Sequence, residues 1–199
     1  MLLVDANPKA LSIAATNLIV NHLSRKFNFQ ASLILDKPGE RMKFYALGAG
    51  AAGSIYPGHS ASAAKSGSWF WVESTTIDLL SEEYNIVPDL VKIDVEGAEY
   101  KALMGATNVA RQQKTSFFVE MHSPKEITME QNAKWILGWC SSHSYQPWYL
   151  KDKCLLEEPE QIKHRGRCHL LLLPNGENFP DYLNRITEGQ AINFNLNQK

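Results

Sequence analysis

The stretch Leu90-Val91-Lys92-Ile93-Asp94-Val95-Glu96-Gly97-Ala98-Glu99 decides the fold of this chain. It begins as an apolar run and ends in acidic residues, and its alternation predicts a strand with Lys92, Asp94 and Glu96 on one face. Gly97 ends this strand, and residues 99–104 are typical of a helix that stops at a glycine. In an open parallel sheet the ligand crevice lies beyond the carboxyl ends of the strands. We therefore expect Asp94 and Glu96 to border a functional site.

A second strand with polar residues at its end covers residues 116–122. It carries Glu120 and His122 on one face at its carboxyl end. We expect Asp94, Glu96, Glu120 and His122 to converge at one edge of the sheet. In this cluster His122 is the predicted general base, because the reference pKa of an imidazole lies near neutrality. Asp94 and Glu120 are the other predicted catalytic residues, which would orient His122 or the substrate.

The same four side chains are also possible ligands for a divalent metal ion, since carboxylates and imidazole bind such ions. Their spacing matches no recognised metal-binding signature. We therefore predict no metal site.

The rest of the chain alternates between strand and helix signals, which favours an α/β fold in a single domain over residues 1–199. Leu2-Leu3-Val4 is a short predicted strand that ends at Asp5. Asn7 is a good N-cap and Pro8 a good first residue for a helix predicted to reach about Leu23.

Later segments continue this pattern. Thr75 and Thr128 each begin a capping box, which predicts a helix after each of them. Strands at residues 145–150 and 168–173 are predicted to pair antiparallel. Residues 175–199 have the composition of a polar tail.

Composition and charge exclude several classes of protein. The chain has 199 residues, of which 44% are hydrophobic and 21% charged, and its formal net charge is −1. A nucleic-acid-binding protein needs a basic excess, so we expect no nucleic-acid partner. No apolar run approaches the roughly 20 residues of a membrane span, and we expect no membrane association or signal peptide. The three cysteines form no C-x-x-C pair, which favours reduced thiols and a cytoplasmic location.

Residues 48–53 formally match the G-x-G-x-x-G motif of nicotinamide-dependent dehydrogenases. That motif needs a helix directly after it, because the pyrophosphate lies on the helix N-terminus. Here Pro57 and Gly58 interrupt any such helix, and the Ser/Ala/Gly run to Ser68 has no apolar period. We therefore predict a flexible surface loop rather than a phosphate site.

The segment around residues 92–106 also carries a family resemblance. Lys-Ile-Asp-Val-Glu-Gly-Ala-Glu, followed by Leu103-Met104-Gly105-Ala106, resembles the signature of the FkbM-like methyltransferases. Three other pieces match in the same order, namely Val4-Asp5-Ala6-Asn7-Pro8, Thr75-Thr76-Ile77-Asp78-Leu79-Leu80 and Val119-Glu120-Met121-His122. Residues 1–122 match the family best. The resemblance implies a class I Rossmann-like fold and S-adenosylmethionine as the methyl donor.

The resemblance also implies roles for individual residues. Asp5 would bind the cofactor ribose, although the family usually has Glu-Pro where this chain has Asp5-Ala6. Asp36 would lie close to the adenine. Given this chemistry, we expect Asp94 near the cationic sulfonium and Glu96 against the substrate. The loop after residue 48 would lie near the active-site mouth.

The first strand of the family and its glycine-rich cofactor loop have no counterpart before Leu2. In the family's sheet that strand lies between the strands that here end at Asp5 and Asp94. Three explanations remain open: a truncated sequence of a longer enzyme, two chains that close the gap as a homodimer, or a sheet with a hole or a direct pairing that binds cofactor weakly. We favour the first.

The sequence as a whole predicts an S-adenosylmethionine-dependent O-methyltransferase that acts on a hydroxyl of a saccharide or a secondary metabolite. The expected partner is thus a small-molecule or saccharide substrate. The alternative is a truncated or degenerate methyltransferase-like domain that is not catalytic and acts through binding.

Overall fold

The structure is a computed structural model that describes residues 1–23, 27–49 and 53–186. Helices and strands alternate along these residues. The strands are β1 (Leu2–Asp5), β2 (Asn28–Ala31), β3 (Leu33–Ile34), β4 (Arg41–Tyr45), β5 (Trp69–Thr75), β6 (Leu90–Ile93), β7 (Ser116–His122), β8 (Tyr145–Tyr149), β9 (Cys154–Leu155) and β10 (Arg167–Pro174). The α-helices are α1 (Pro8–Val20), α2 (Ala61–Lys65), α3 (Ile77–Glu83), α4 (Glu99–Met104), α5 (Thr107–Arg111) and α6 (Met129–His143). Short 3-10 helices cover Pro159–Gln161 and Asp181–Arg185.

The strands form three sheets, which gives the mixed α/β fold predicted from the sequence. The largest has the order β6-β7-β10-β8-β9, in which β6 and β7 are parallel and the other pairs antiparallel. A second sheet has the order β3-β5-β4, and a third contains the parallel pair β1-β2. The predicted antiparallel pairing of segments 145–150 and 168–173 is confirmed, because β8 pairs with β10.

The main core lies between the five-stranded sheet and helices α4, α5 and α6. Alternate residues of β7, Phe117, Val119 and Met121, are fully buried, as the two-residue period of a strand requires. Trp139 of α6 packs edge-on against Phe117 with ring centroids 5.4 Å apart. Burying an apolar side chain of this size contributes roughly 1.5–3 kcal/mol. This packing holds β7 against α6.

Two predicted helix starts are confirmed and one is corrected. The Asn7 side chain accepts from the Lys9 amide (3.0 Å), and the Thr128 side chain accepts from the Gln131 amide (3.1 Å). At the third start the cap is Thr76, whose hydroxyl accepts from the Leu79 amide (3.0 Å). Thr75 instead continues strand β5, where its backbone is extended. Helix α1 also ends earlier than predicted, at Val20.

The segment after the glycine motif contains a short helix that the sequence did not predict. Residues 50–52 of the motif lie outside the described residues. The next helix, α2, begins only at Ala61, so no helix N-terminus follows Gly53 directly. This removes the geometric basis of a dinucleotide site. The expectation of an irregular loop throughout is wrong at α2.

The sheet is interrupted next to the predicted site. Among the pairings of the described residues, β1 pairs only with β2, and β6 pairs only with β7. The space between β1 and β6 is where the family resemblance predicts the first strand of the family's sheet. It opens onto a cavity.

None of the helices in the described parts of the chain combines the length and hydrophobicity that a membrane span requires.

Candidate active site

The carboxyl ends of β6 and β7 bring four carboxylates around one imidazole. His122 Nδ1 lies 2.9 Å from Glu99 Oε1, and His122 Nε2 lies 3.2 Å from Glu96 Oε2. The Nε2 atom is also 3.8 Å from Glu120 Oε1 and 4.0 Å from Asp94 Oδ1. The predicted convergence of Asp94, Glu96, Glu120 and His122 therefore occurs in the structure.

The environment of His122 favours its protonated form. The residue is only 6% exposed, and burial by itself lowers the pKa of the imidazole. The hydrogen bond to Glu99 and the negative charges of Glu99, Glu96 and Asp94 act in the opposite direction and prevail. The pKa of His122 is therefore raised above its ordinary value.

Glu99 is the buried carboxylate that connects His122 to α4 and α6. Its side chain is completely buried at the start of α4. It accepts from the Gly97 amide (2.9 Å) and from Asn132 Nδ2 of α6 (3.0 Å), besides its contact with His122. Since an ionised carboxylate only accepts, His122 Nδ1 carries a proton and Nε2 is the atom that can exchange one.

The backbone around Glu96 is unusual. Glu96 and Gly97 have φ values of 52° and 105°, both in the left-handed region that favours glycine. The strand therefore ends at Ile93, and the chain turns sharply before α4. This turn aims the Glu96 side chain at His122 and brings Glu99 behind it. The strand predicted to run through Glu96 is therefore three residues too long.

Glu120 is held by basic side chains from two strands, β6 and β10. Its carboxylate lies 3.6 Å from Lys92 Nζ, 3.2 Å from an Arg167 nitrogen and 3.5 Å from His169 Nε2. The register explains this arrangement, because His169 of β10 lies opposite Glu120 on β7. Lys92 Nζ also forms a 2.9 Å ion pair with Asp94.

A metal ion has one set of potential ligands here. Ligand atoms of Asp94, Glu120 and His122 lie within 4.8 Å of one another. The Lys92 ammonium already contacts both of those carboxylates, and a divalent cation would have to displace it. The charge of these two carboxylates is thus partly offset by Lys92.

A second histidine reaches the cluster from a distant loop. His59 Nε2 contacts Glu96 Oε2, and the His59 ring lies edge-on to His122 with centroids 5.4 Å apart. The Ser54 hydroxyl donates to the Glu96 carbonyl (2.8 Å), and the Gly58 amide donates to Glu126 Oε1 (2.8 Å). These bonds fix residues 54–60 over the site, a segment that we call the covering loop.

A cavity of about 410 Å³ lies between β1 and β6, beside this cluster. Asp5 and Asp94 line it from opposite strands, together with apolar residues that include Leu35, Phe44 and Ile55. Burial raises the pKa of Asp5, a hydrogen bond from the Asn7 amide (2.7 Å) partly opposes this, and the negative charge of Asp94 adds to the rise. The negative charge of Asp94 thus acts on Asp5 across the gap.

The sequence model of the methyltransferase FkbM domain matches residues 5–147 of this chain. The chain belongs to the FkbM methyltransferase family.

A solved structure agrees with this assignment. The chain is similar to a crystal structure of methyltransferase FkbM from Methylobacillus flagellatus KT, with a TM-score of 0.51 and 12% sequence identity. The similarity covers 86% of this chain and 36% of that chain, and it concerns the fold. A search among curated proteins found no significant match.

The cofactor-binding residues predicted for this FkbM-family chain do not all lie in one place. Asp5 and Asp94 share the cavity between β1 and β6. Asp36 lines a separate cavity of about 230 Å³, together with Tyr56 and the stacked rings of Tyr100 and Trp135. The turn at residues 94–98 borders both cavities.

Three residues of the cluster were missed by sequence reasoning. Glu99 appeared only as part of a helix, His59 lay in a run without periodicity, and Asn132 is one polar residue of an amphipathic helix. A polar residue on the inward face of α6 was a usable signal for Asn132. No local pattern marks His59.

Proposed function

We propose that this FkbM-family chain transfers a methyl group from S-adenosylmethionine to a hydroxyl oxygen of a saccharide or a secondary metabolite. One observation carries the proposal: a cavity with an acid from each of two strand ends lies beside a buried imidazole that is surrounded by carboxylates. The fold class of the family supports it, because ligands of open α/β sheets bind at such strand ends.

The side chains of the cavity have the chemistry that a sulfonium nucleoside requires. Its volume of about 410 Å³ falls within the range of roughly 300–1,000 Å³ found for small-molecule sites. Asp5 can accept hydrogen bonds from ribose hydroxyls, and Asp94 and Glu96 supply negative charge for a cationic sulfur. Phe44 and Ile55 offer an apolar wall for the adenine. S-adenosylmethionine would supply a methyl group that is already activated for attack.

His122 is the group that we assign to the proton of the acceptor. When the acceptor oxygen takes up the methyl group that bound S-adenosylmethionine would supply, the hydroxyl proton would move to His122 Nε2. Glu99 holds Nδ1 in its protonated state, so Nε2 presents its lone pair in the neutral ring. Glu96, Asp94 and Glu120 then stabilise the imidazolium that forms.

The raised pKa of His122 sets the direction of the pH dependence. The neutral ring, which is the base, is populated only above that pKa. The rate of methyl transfer should therefore increase with pH as His122 loses its proton. The midpoint of this increase should lie at a higher pH than for an ordinary histidine.

Isothermal titration calorimetry with S-adenosylmethionine tests the proposal without a known acceptor. We expect a micromolar Kd for the wild-type chain and roughly tenfold weaker binding for Asp94→Asn, which removes about 1.4 kcal/mol of interaction with the cation. Asp89→Asn is the matched control, because this exposed acid lies at the other end of the same strand.

Each outcome of that titration has a clear meaning. Equal affinity of the Asp94→Asn and wild-type proteins would remove Asp94 from the cofactor site. Absence of binding by the wild-type chain would contradict the enzyme proposal and favour a domain that acts through binding alone.

A further inference from the structure

We propose that His59 is a positioning residue that supplies Glu96 with a hydrogen-bond donor whenever His122 is neutral. The inference rests on the proposed role of His122 as the base. It extends that proposal to a residue 63 positions earlier in the chain, on the covering loop.

The geometry places both imidazoles on one carboxylate oxygen. His59 Nε2 and His122 Nε2 both contact Glu96 Oε2. The side chains of His59 and Glu96 are 21% and 18% exposed, so neither relies on bulk water alone. Glu96 itself is held in place through its carbonyl, which accepts from the Ser54 hydroxyl of the covering loop.

The protonation state of His122 determines whether Glu96 needs a hydrogen-bond donor from another group. When His122 is an imidazolium, Nε2–H donates to Glu96 Oε2 across 3.2 Å. When His122 is neutral, Glu99 retains the Nδ1 proton, and the Nε2 lone pair faces a carboxylate oxygen. Two acceptors cannot bond to each other, so Glu96 then needs a donor from another group.

His59 is the donor that the structure offers. With its Nε2–H on Glu96, the carboxylate keeps a hydrogen bond in both protonation states of His122. Without it, Glu96 can accept only from the imidazolium or from solvent, and the protonated form of His122 is favoured. His59 should therefore keep the pKa of His122 lower than the surrounding acids alone would allow.

The other charged groups around His122 are the same in the wild-type protein and in variants at His59. Glu99 comes from α4, Asp94 and Glu96 from the turn after β6, and Glu120 from β7. Glu120 in turn contacts three basic side chains, Lys92, Arg167 and His169. A substitution at His59 leaves every one of these side chains in place.

Two substitutions separate the donor from the ring. His59→Gln retains an N–H donor near the Nε2 position but loses the ring. His59→Phe retains a ring that can pack edge-on against His122 but has no donor. The measurement is the pKa of His122, followed by NMR through its ring Cε1–H signal, which is assigned by its loss in His122→Gln.

We expect the pKa of His122 to rise by about half to one pH unit in His59→Phe and by clearly less in His59→Gln. Equal titration of His122 in the wild-type, Phe and Gln proteins would overturn the proposal. So would a rise in His59→Gln that matches the rise in His59→Phe, because the ring rather than the donor would then be responsible.

The NMR titration needs neither cofactor nor acceptor, so its result is independent of whether the chain transfers methyl groups. In a methyl-transfer assay, the acid limb of the pH profile should move to higher pH with His59→Phe. A lower rate at every pH with no movement of the limb would indicate a purely structural role and contradict the proposal.

Discussion

Replacing Glu99 by glutamine should destabilise the protein in a pH-dependent way. Glu99 is completely buried and accepts from His122, Asn132 and the Gly97 amide. The substitution keeps the shape of the side chain and removes its charge. The amide group also cannot accept at both ends, so one of the three donors loses its partner.

The sign of the pH dependence follows from His122. Its pKa is higher in the folded than in the unfolded chain, so protonation stabilises the fold. That contribution is fully present below the unfolded pKa of about 6.5 and is lost as pH rises through the raised folded pKa. Glu99 is the principal group that raises this pKa, so the substitution costs most at low pH.

The magnitude combines two effects. A buried donor left without its partner costs about 1–3 kcal/mol at any pH. Loss of the pairing with the imidazolium adds about 1.4 kcal/mol for each unit by which the pKa of His122 falls. We expect Glu99→Gln to lower the free energy of unfolding by about 3 kcal/mol at pH 6 and about 1.5 kcal/mol at pH 9.

Urea unfolding at the two pH values, followed by tryptophan fluorescence and circular dichroism, measures this difference. Glu82→Gln is the control, since this exposed acid on α3 should change stability by less than about 0.5 kcal/mol. An equal loss at pH 6 and pH 9 would show that the charge of Glu99 does not stabilise the protonated imidazole, and the account of the cluster would fail.

Two other predictions concern packing and reactivity. Gly105→Ala should lower the free energy of unfolding by about 2 kcal/mol or more, because the new Cβ would lie 2.2 Å from the Leu35 carbonyl oxygen. In Gly138→Ala, the new Cβ in α6 meets no atom within 4 Å, so the free energy of unfolding should rise by up to about 1 kcal/mol. Thermal melts of both variants check this contrast. Destabilisation of equal size in the two variants would refute it. Burial raises the pKa of the Cys140 thiol to about 12, so this thiol should resist a disulfide reagent at pH 8 in the native protein and react once urea is added. Rapid modification of Cys140 in the native protein, detected by mass spectrometry of peptides, would contradict the buried position.

Local signals predicted the elements of this fold well. Apolar runs identified β7 and β10, and the caps at Asn7 and Thr128 marked two helix starts, because each of these features depends on neighbours within a few residues. The exact cap at Thr76 was not predictable in this way. Thr75 and Thr76 are both suitable caps, and the pairing of β5 with β3 and β4 decides between them.

The residues of the candidate site also fall into those that local sequence signals predict and those that depend on the tertiary structure. Asp94, Glu120 and His122 could be predicted, since each lies at or just past the carboxyl end of a strand that the sequence identifies. His59 and Asn132 could not, because the covering loop and α6 reach the cluster only after the chain has folded. Glu99 lies three residues after a predicted site residue, yet its inward direction depends on the left-handed turn at Glu96 and Gly97.

The sequence by itself determined the family, the strand–turn–helix unit at residues 90–104 and the acidic character of the site, because these follow from residue type and spacing. The tertiary structure alone decided which nitrogen of His122 can exchange a proton, how many carboxylates surround it and that a second histidine shares Glu96. The physical reason is that the energy of a buried charge depends on every group within a few ångströms. Those groups come here from β6, β7, α4, α6 and the covering loop, which are far apart in the chain.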